Sequence, residues 1–372
     1  MKKGNIRLCI DARMINSSGI GTYLRNLIPY FLDQFEVTLL INDNGGTLKQ
    51  LINGDTINMV STIYSIKEQV EFKKKIPNCD LFWSPHFNIP ILPIKARKRI
   101  VTIHDTYHLA YLKKLPWLQK IYARIFYSLA TRLSNQIITV SNFSKKELKK
   151  YLNVPEKKIN VIYNGVDVCL FKRISDKTLL QKIKLKYGLP DKFILTVGNV
   201  KPHKNLKNLV MAFRHIQKGE QLDYKLVIIG KKDGFVNKDR QVFKIINNDQ
   251  ILKNKVKFTG YVPNKDLPII YNLASIFVFP SFYEGFGLPP LEALASGIPT
   301  VVSNKSSIPE ICGEATTYFN PEDPIDISEK IEFVLKNNSI AQYQIEKGFA
   351  QLKEFDWKLS AEKHIKLFKS LL

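Results

Sequence analysis

Residues 280–297 read PSFYEGFGLPPLEALASG. The run SIFVFPS (275–281) leading into them has the length and unbroken apolar character of a buried parallel strand. Glu284-Gly285-Phe286-Gly287 follows as a glycine turn, and a helix pattern runs from Leu288 to Ser296 before Gly297 closes it. Strand, glycine turn and helix start together make an anion site, because amide N–H groups point outward and the helix dipole favours negative charge. Glu284 and Glu292 flank the turn. Carboxylates accept hydrogen bonds from vicinal hydroxyls, so the stretch suits a ligand carrying both phosphate and sugar, such as a nucleotide sugar.

The same pattern extends in both directions. NIRLCID (5–11), VTLLIND (37–43), CDLFWS (79–84), RIVTIHD (99–105), QIITVS (136–141) and INVIYNG (159–165) read as strands with helical stretches between them. The pattern restarts with FILTVG (193–198), KLVIIGK (225–231), VKFTG (256–260), SIFVFPS and PTVVS (299–303). Such strands belong to parallel sheets covered on both faces, and their number exceeds what one doubly wound sheet needs. The class is α/β with two Rossmann-like αβα domains, 1–170 and 171–356. The amphipathic tail 356–372 closes one of them, with Leu359, Ile365, Leu367 and Phe368 as its buried positions. A capping box from Ser144 to Glu147 is expected to open the helix near 141–152.

Composition narrows the class. The chain has 372 residues, 45% of them hydrophobic, and a net charge of +23. Residues 1–186 hold 31 Lys/Arg against 13 Asp/Glu, a balance of 31 − 13 = +18, and the remainder carries only 25 − 20 = +5. A basic first half points to an anionic surface or polyanion. A nucleic acid is not expected, since no recognition motif accompanies the charge. Four scattered cysteines read as reduced thiols of a cytoplasmic protein. No signal peptide and no membrane-spanning run is read.

Three other strand ends carry candidate residues. Ser17-Ser18-Gly19-Ile20-Gly21 brings backbone at Gly19 toward a phosphate, though it is not a dinucleotide fingerprint. His104 stands at the end of RIVTIHD, where it can donate a hydrogen bond or carry a proton, and Asp105 is read as a turn cap. GNVKPHKN (198–205) places Lys204 near a helix start, unfavourable unless an anion is bound there. No Asp-x-Asp, phosphate-loop or Cys/His metal spacing occurs, so no metal site is expected and Lys204 with backbone amides would meet the leaving-group charge.

These motifs, taken together, resemble those of retaining glycosyltransferases of family four, which have the GT-B fold of two domains facing each other across a cleft. Phe279 through Gly297 resembles the family's Glu-x7-Glu motif, Val197 through Asn205 its Pro-Arg-Lys-Asn element, His104-Asp105 its His-Asp strand end, Asn164 to Asp167 its interdomain segment, and Ser303 to Gly313 its Ser-Ser-x-Pro-Glu element. The resemblance implies that His104 and Glu284 are catalytic. It implies that Gly19, Lys204, Gly285, Phe286, Gly287 and Leu288 hold the donor phosphates, that Glu292 holds the ribose, and that the helix from Trp357 crosses back to the first domain. Arginine, frequent in the family at the positions of Asn199 or His203, is missing here, which leaves Arg13 or Lys201 as alternative cations.

The implied reaction moves a hexose with retention, metal-independently and without a cofactor. Similarity to bacterial mannosyl- and rhamnosyltransferases of surface polysaccharide assembly names mannose from GDP-mannose as the candidate donor, and a glycan or lipid-linked oligosaccharide as the acceptor. A catalytically silent subunit of the same fold is the alternative. The segment 109–134, LAYLKKLPWLQKIYARIFYSLATRLS, mixes cations with aromatic and aliphatic residues. It is expected to rest peripherally on the anionic inner face of a membrane.

Overall fold

A computed structural model describes residues 6–42, 55–219, 223–231 and 239–372. The chain divides into two compact units, Met1–Gly165 with Asp356–Leu372, and Val166–Phe355. Residues 166–170, expected to close the first domain, therefore belong to the second unit.

The first unit contains β1 (Arg7–Asp11), α1 (Gly19–Leu32), β2 (Glu36–Ile41), β3 (Asp55–Asn58), α2 (Ile66–Lys75), β4 (Cys79–Ser84), β5 (Ala96–Thr102), α3 (Tyr107–Ala110), α4 (Trp117–Leu133), β6 (Gln136–Thr139), α5 (Asn142–Leu152) and β7 (Ile159–Val161). Its described strands form a parallel sheet in the order β3-β2-β1-β4-β5-β6-β7. β1 and β4 lie at the centre, and Leu8, Cys9, Ile10, Leu81, Phe82 and Trp83 are buried on both faces, which is why their sequences are apolar without alternation. Asn5 and Asp43, included in the expected strands, lie outside the described residues.

The second unit contains α6 (Lys177–Tyr187), β8 (Phe193–Val197), α7 (Leu206–Lys218), β9 (Lys225–Ile229), α8 (Arg240–Asn247), α9 (Gln250–Lys255), β10 (Val256–Gly260), α10 (Leu267–Leu273), β11 (Ile276–Phe279), α11 (Leu288–Ala295), β12 (Thr300–Ser303), α12 (Ile308–Cys312), β13 (Thr317–Phe319), α13 (Pro324–Lys336) and α14 (Asn338–Gln351). The sheet order is β10-β9-β8-β11-β12-β13, again parallel. Its core gathers Leu209, Val210 and Phe213 of α7 with Ile194, Leu226, Val278 and Ile331.

Each sheet reverses its strand order once, between β1 and β4 and between β8 and β11. Ligands of open α/β sheets bind outside the carboxyl ends of strands at such switch points. Lys204 follows β8, and Glu284 follows β11.

The last helix, α15 (Trp357–Lys369), belongs to the first unit. Its buried residues are Trp357, Ser360, Ala361, His364 and Phe368. Leu359, expected inside, is exposed. His364 takes the inward place because it finds partners there. Nδ1–H donates to Ser360 O at 2.7 Å, so Nε2 accepts from the Tyr23 hydroxyl at 2.6 Å. Thr102 then donates to Tyr23 across 3.2 Å and accepts from Trp83 Nε1–H at 2.9 Å. Every proton in this buried chain is assigned by the carbonyl at its end. At α5 the N-cap is Ser141, whose Oγ accepts from Ser144 N at 3.0 Å, three residues before the expected start of the box. Ser144 instead donates to His104 O at 2.9 Å.

Candidate functional site

In the second unit two loops are bolted together at the β8/β11 switch point. Phe282 N–H donates to His203 O at 2.8 Å. Asn205, at φ +54°, spends both amide hydrogens on Pro280 O (3.0 Å) and Pro321 O (2.7 Å). Lys204 sits in a single 3₁₀ turn, Pro202–Lys204, ahead of α7 rather than in it. Its ammonium lies 2.6 Å from Glu284 Oε1 and 5.3 Å from the centre of the Phe279 ring. Their side chains are 19% and 15% exposed, enough to meet a ligand, with solvent screening the charge only in part.

The Glu284 loop is braced by two serines that the sequence reading left without a role in the site. Glu284 N–H donates to Ser306 Oγ at 3.0 Å, with Ser306 held at φ +58°. The Ser307 hydroxyl, buried, lies 2.6 Å from Phe286 O and 3.0 Å from Glu284 O. Gly287 caps α11 at φ +124°, a torsion that demands glycine, while an added Cβ would meet at 2.9 Å only the movable end of a side chain, Ile308 Cδ1. Pro289 and Pro290 in the first turn carry no N–H. At this helix start the N–H-bearing positions are therefore Leu288, the first residue of α11, and Gly285, Phe286 and Gly287 of the loop before it.

Glu292 lies on α11, half-buried, and its Oε2 accepts from the Tyr271 hydroxyl of α10 at 2.9 Å. Burial pushes its carboxyl up to about 7, against the opposing hydrogen bond. Tyr271 is fully buried, and burial with the neighbouring carboxylate raises its hydroxyl well above the usual range. It therefore acts as a donor to Glu292. Tyr271 had no signal in the sequence beyond an apolar helix.

Gly19 and His104 belong to the first unit. Gly19 is exposed at the start of α1, and a Cβ there would meet nothing within 4 Å. Its neighbour Gly21 is packed, because a Cβ would come within 2.5 Å of Ile15 O. His104 lies in the loop after β5, two residues past Thr102. Nε2–H donates to Pro85 O at 2.8 Å, which leaves Nδ1 as the nitrogen able to accept from a ligand hydroxyl. Burial lowers its pKa, so the ring is neutral near pH 7. Asp105 accepts from Tyr107 N–H at 2.8 Å as a turn cap.

Arg13 is no free cation. It is buried, with Nε and Nη2 each 2.7 Å from an oxygen of Asp11, and Nη2 is 3.5 Å from Glu68. Its guanidinium also covers Phe72 at 4.6 Å. Asn88 donates to Glu68, completing a network at the carboxyl ends of β1 and β4. Among the described residues there is no cluster of three or more His, Cys, Asp or Glu side chains able to hold a metal ion.

Residues 17–169 match the family model Glycosyltransferase Family 4, and residues 180–351 match Glycosyl transferases group 1. The chain is 29% identical over 293 residues to the O-antigen chain mannosyltransferase B of Escherichia coli, covering 78% of this chain and 74% of the relative. It is likewise 29% identical over 297 residues to the O-antigen chain mannosyltransferase RfbU of Salmonella typhimurium, covering 77% and 76%. A 239-residue match to the serotype-specific mannosyltransferase WbdA of E. coli is 31% identical, covers 64% of this chain, and spans only 29% of that longer protein. Two solved structures share the architecture. One is the sucrose-phosphate synthase of Thermosynechococcus elongatus, with TM-score 0.81, 17% identity and 99% of both chains covered. The other is HepE of Anabaena in complex with UDP and glucose, with TM-score 0.79, 16% identity, and 98% and 100% covered.

Proposed function

Since the chain belongs to the family-four glycosyltransferases, with the GT-B fold, we propose that it moves a mannosyl group from GDP-mannose, with retention, onto a glycan or lipid-linked oligosaccharide of the cell surface. The donor would bind at the β8/β11 switch point. Lys204 would meet the diphosphate, and the amides of Gly285, Phe286, Gly287 and Leu288 would take the remaining charge. Glu292 would accept from the ribose hydroxyls and Glu284 from the sugar. The observation that carries this reading is the Lys204–Glu284 pair set at a glycine turn that opens α11, for it joins a phosphate cation to a hydroxyl acceptor in one rigid place. The mannose assignment draws on the names of the E. coli and Salmonella relatives. Their transferase names give no support to a silent subunit.

Retention would proceed on one face of the sugar. As the glycosidic C1–O bond breaks, its electrons pass to the diphosphate oxygen. That oxygen takes the proton of the incoming acceptor hydroxyl while the new C1–O bond forms. Lys204 and the loop amides lower the cost of the charge that develops on the leaving group. With these groups on the phosphates, the reaction needs no metal ion. Gly19 would leave room for the diphosphate, and His104 would accept from a sugar hydroxyl through Nδ1. A peripheral position on the inner face of the membrane would bring a lipid-linked acceptor within reach.

A thermal-shift panel of GDP-mannose, UDP-glucose, dTDP-rhamnose and ADP-glucose tests the donor. The native donor raises Tm through its differential binding to the folded chain, and a shift with UDP-glucose alone would reject GDP-mannose. Product analysis by NMR at the anomeric carbon tests retention.

A further inference from the structure

Tyr64 holds a backbone that tyrosine resists. Its φ is +71°, in the left-handed region where a bulky residue is strained and Gly or Asn would sit at ease. Its neighbours impose this torsion. Tyr64 N–H donates to Glu68 Oε2 at 2.6 Å, and Ser65 Oγ accepts from Glu68 N–H at 3.2 Å to cap α2. Glu68 is itself fully buried between Arg13 and Asn88. The strain displays a ring. Tyr127, Phe87 and Tyr64 stack in that order, with centroids 4.3 and 6.1 Å apart and planes 15° and 25° from parallel. Tyr127 is buried, whereas Tyr64, at the end of the stack, is 48% exposed. Strain retained at an exposed aromatic points to a ring kept for a ligand.

Two buried donors stand in the same cluster. The Tyr64 ring lies 6.1 Å from that of His86, edge to face. His86 is 2% exposed, and its Nδ1 accepts from Asn88 N–H at 3.2 Å, so Nε2 carries the proton. That Nε2–H has no acceptor among the described residues, and neither has Arg13 Nη1, although Nε and Nη2 of the same guanidinium are held by Asp11 and Glu68. Arg13 and His86 each follow the carboxyl end of one of two adjacent strands, β1 and β4, the switch point of the first sheet. Buried donors without acceptors destabilise a fold, and hydroxyl oxygens would satisfy them. Pro85, next to His86 in the chain, accepts from His104 Nε2–H at 2.8 Å. The cluster therefore adjoins the histidine assigned to the transferred sugar.

We propose that Tyr64 selects the acceptor: its ring carries a hexopyranose unit of the acceptor glycan, whose hydroxyl oxygens accept from His86 Nε2–H and Arg13 Nη1–H. The polarised C–H groups of a pyranose face meet the negative face of the aromatic ring. An alkyl chain would cover the ring equally well but leave both donors unpaired, so a sugar is the better match. Glu68 is a positioning residue that acts through Tyr64 N–H. The proposal deepens the reading of a glycan acceptor and rests on it.

The test follows saturation-transfer NMR from the full chain to methyl α-mannopyranoside with GDP present. Wild type is expected to transfer magnetisation to the ring protons of the sugar. Tyr64→Gly relaxes the backbone, so its Tm should equal or exceed that of wild type while affinity for the sugar falls about tenfold. Tyr64→Phe keeps the stack and should bind as wild type does. Cyclohexanol, a ring of the same size with one hydroxyl, should not displace the sugar. A silent wild type, or undiminished transfer in Tyr64→Gly, would overturn the proposal. So would displacement by cyclohexanol, or a Tyr64→Gly chain that loses Tm along with the sugar, since Tyr64 would then serve packing alone. GDP-mannose thermal shifts on the same samples separate the two readings. A chain that binds the mannoside but not GDP-mannose retains the subsite and loses the proposed donor, and the reverse pattern loses the subsite only.

Discussion

The ammonium of Lys204 and the carboxylate of Glu284 lie 2.6 Å apart across two loops that are eighty residues apart in sequence. In the free protein each neutralises the other at a place where neither is fully solvated. Lys204→Ala is expected to lower kcat/KM by about a hundredfold or more, and to move Tm little, because the pair is still reached by solvent. Glu284→Gln keeps the shape and removes the charge. Steady-state transfer with circular dichroism melts checks both, and wild-type rates in either variant would remove the pair from the site.

Glu292 gives the donor site a pH dependence. Its carboxyl is raised to about 7 by burial. Ribose hydroxyls are donors and favour the ionised form, so donor affinity should rise with pH to about 7 and then level off, by up to about tenfold per unit below that point. The stability term has the opposite sign. A carboxyl raised on folding favours the native state while both states are protonated, and that contribution is lost as pH climbs through about 7. Calorimetric titration of the donor from pH 5.5 to 8 checks the first effect, and Glu292→Gln should flatten the curve.

Tyr271 holds Glu292 through one hydrogen bond, and Tyr271→Phe should raise the donor KM about tenfold with kcat little changed. It should also shift the pH profile of affinity, which simple loosening of α10 would not do. An unmoved profile with a lowered Tm would mark Tyr271 as a packing residue only.

Gly19 separates space from fold. A Cβ there touches nothing in the free protein, so Gly19→Ala should leave Tm unchanged. If the diphosphate comes against this backbone, the added methyl should weaken donor binding about tenfold or more. Gly21→Ala is the contrast, since its Cβ would strike Ile15 O and destabilise the unit.

Acid should loosen the first unit. Burial lowers His86 and His364 each to about 4. A histidine held neutral in the fold supports it above its ordinary value and loses that support as pH falls from about 6.5 toward 4. Each fully buried ring contributes about 3 kcal/mol over that window. Urea melts at pH 7 and pH 5 should show the loss, and His364→Gln, which keeps a donor and an acceptor, should reduce it.

The alternating architecture was legible because its central strands are apolar on both faces, as in RLCID and FILTV. The edges were not. β3 reads DTIN and β13 reads TYF, short strands with one neighbour each and too little burial to imprint a pattern. Lys204, Glu284 and Glu292 could be read from strand, turn and helix in sequence order. Tyr271, Ser306 and Asn205 could not, since each matters through a neighbour far along the chain or through a left-handed backbone that an ordinary residue does not advertise. Asp11, Arg13 and Glu68 look like surface charges in a basic half, and only the structure shows them locked together inside. On α15 Phe368 is buried as expected, but Leu359 is exposed, as His364 takes the inward place where Tyr23 meets it.

The placement of α15 sets an order of assembly. A ribosome delivers Val166–Phe355 complete, with its whole sheet, before the partner that Tyr23 and Trp83 await has been made. The middle of the chain can therefore mature first, while the half synthesised earliest stays unfinished until the closing residues emerge. A chain stopped at Phe355 would leave Tyr23 and Phe31 uncovered, and a damaged message would betray itself in the region furthest from its break.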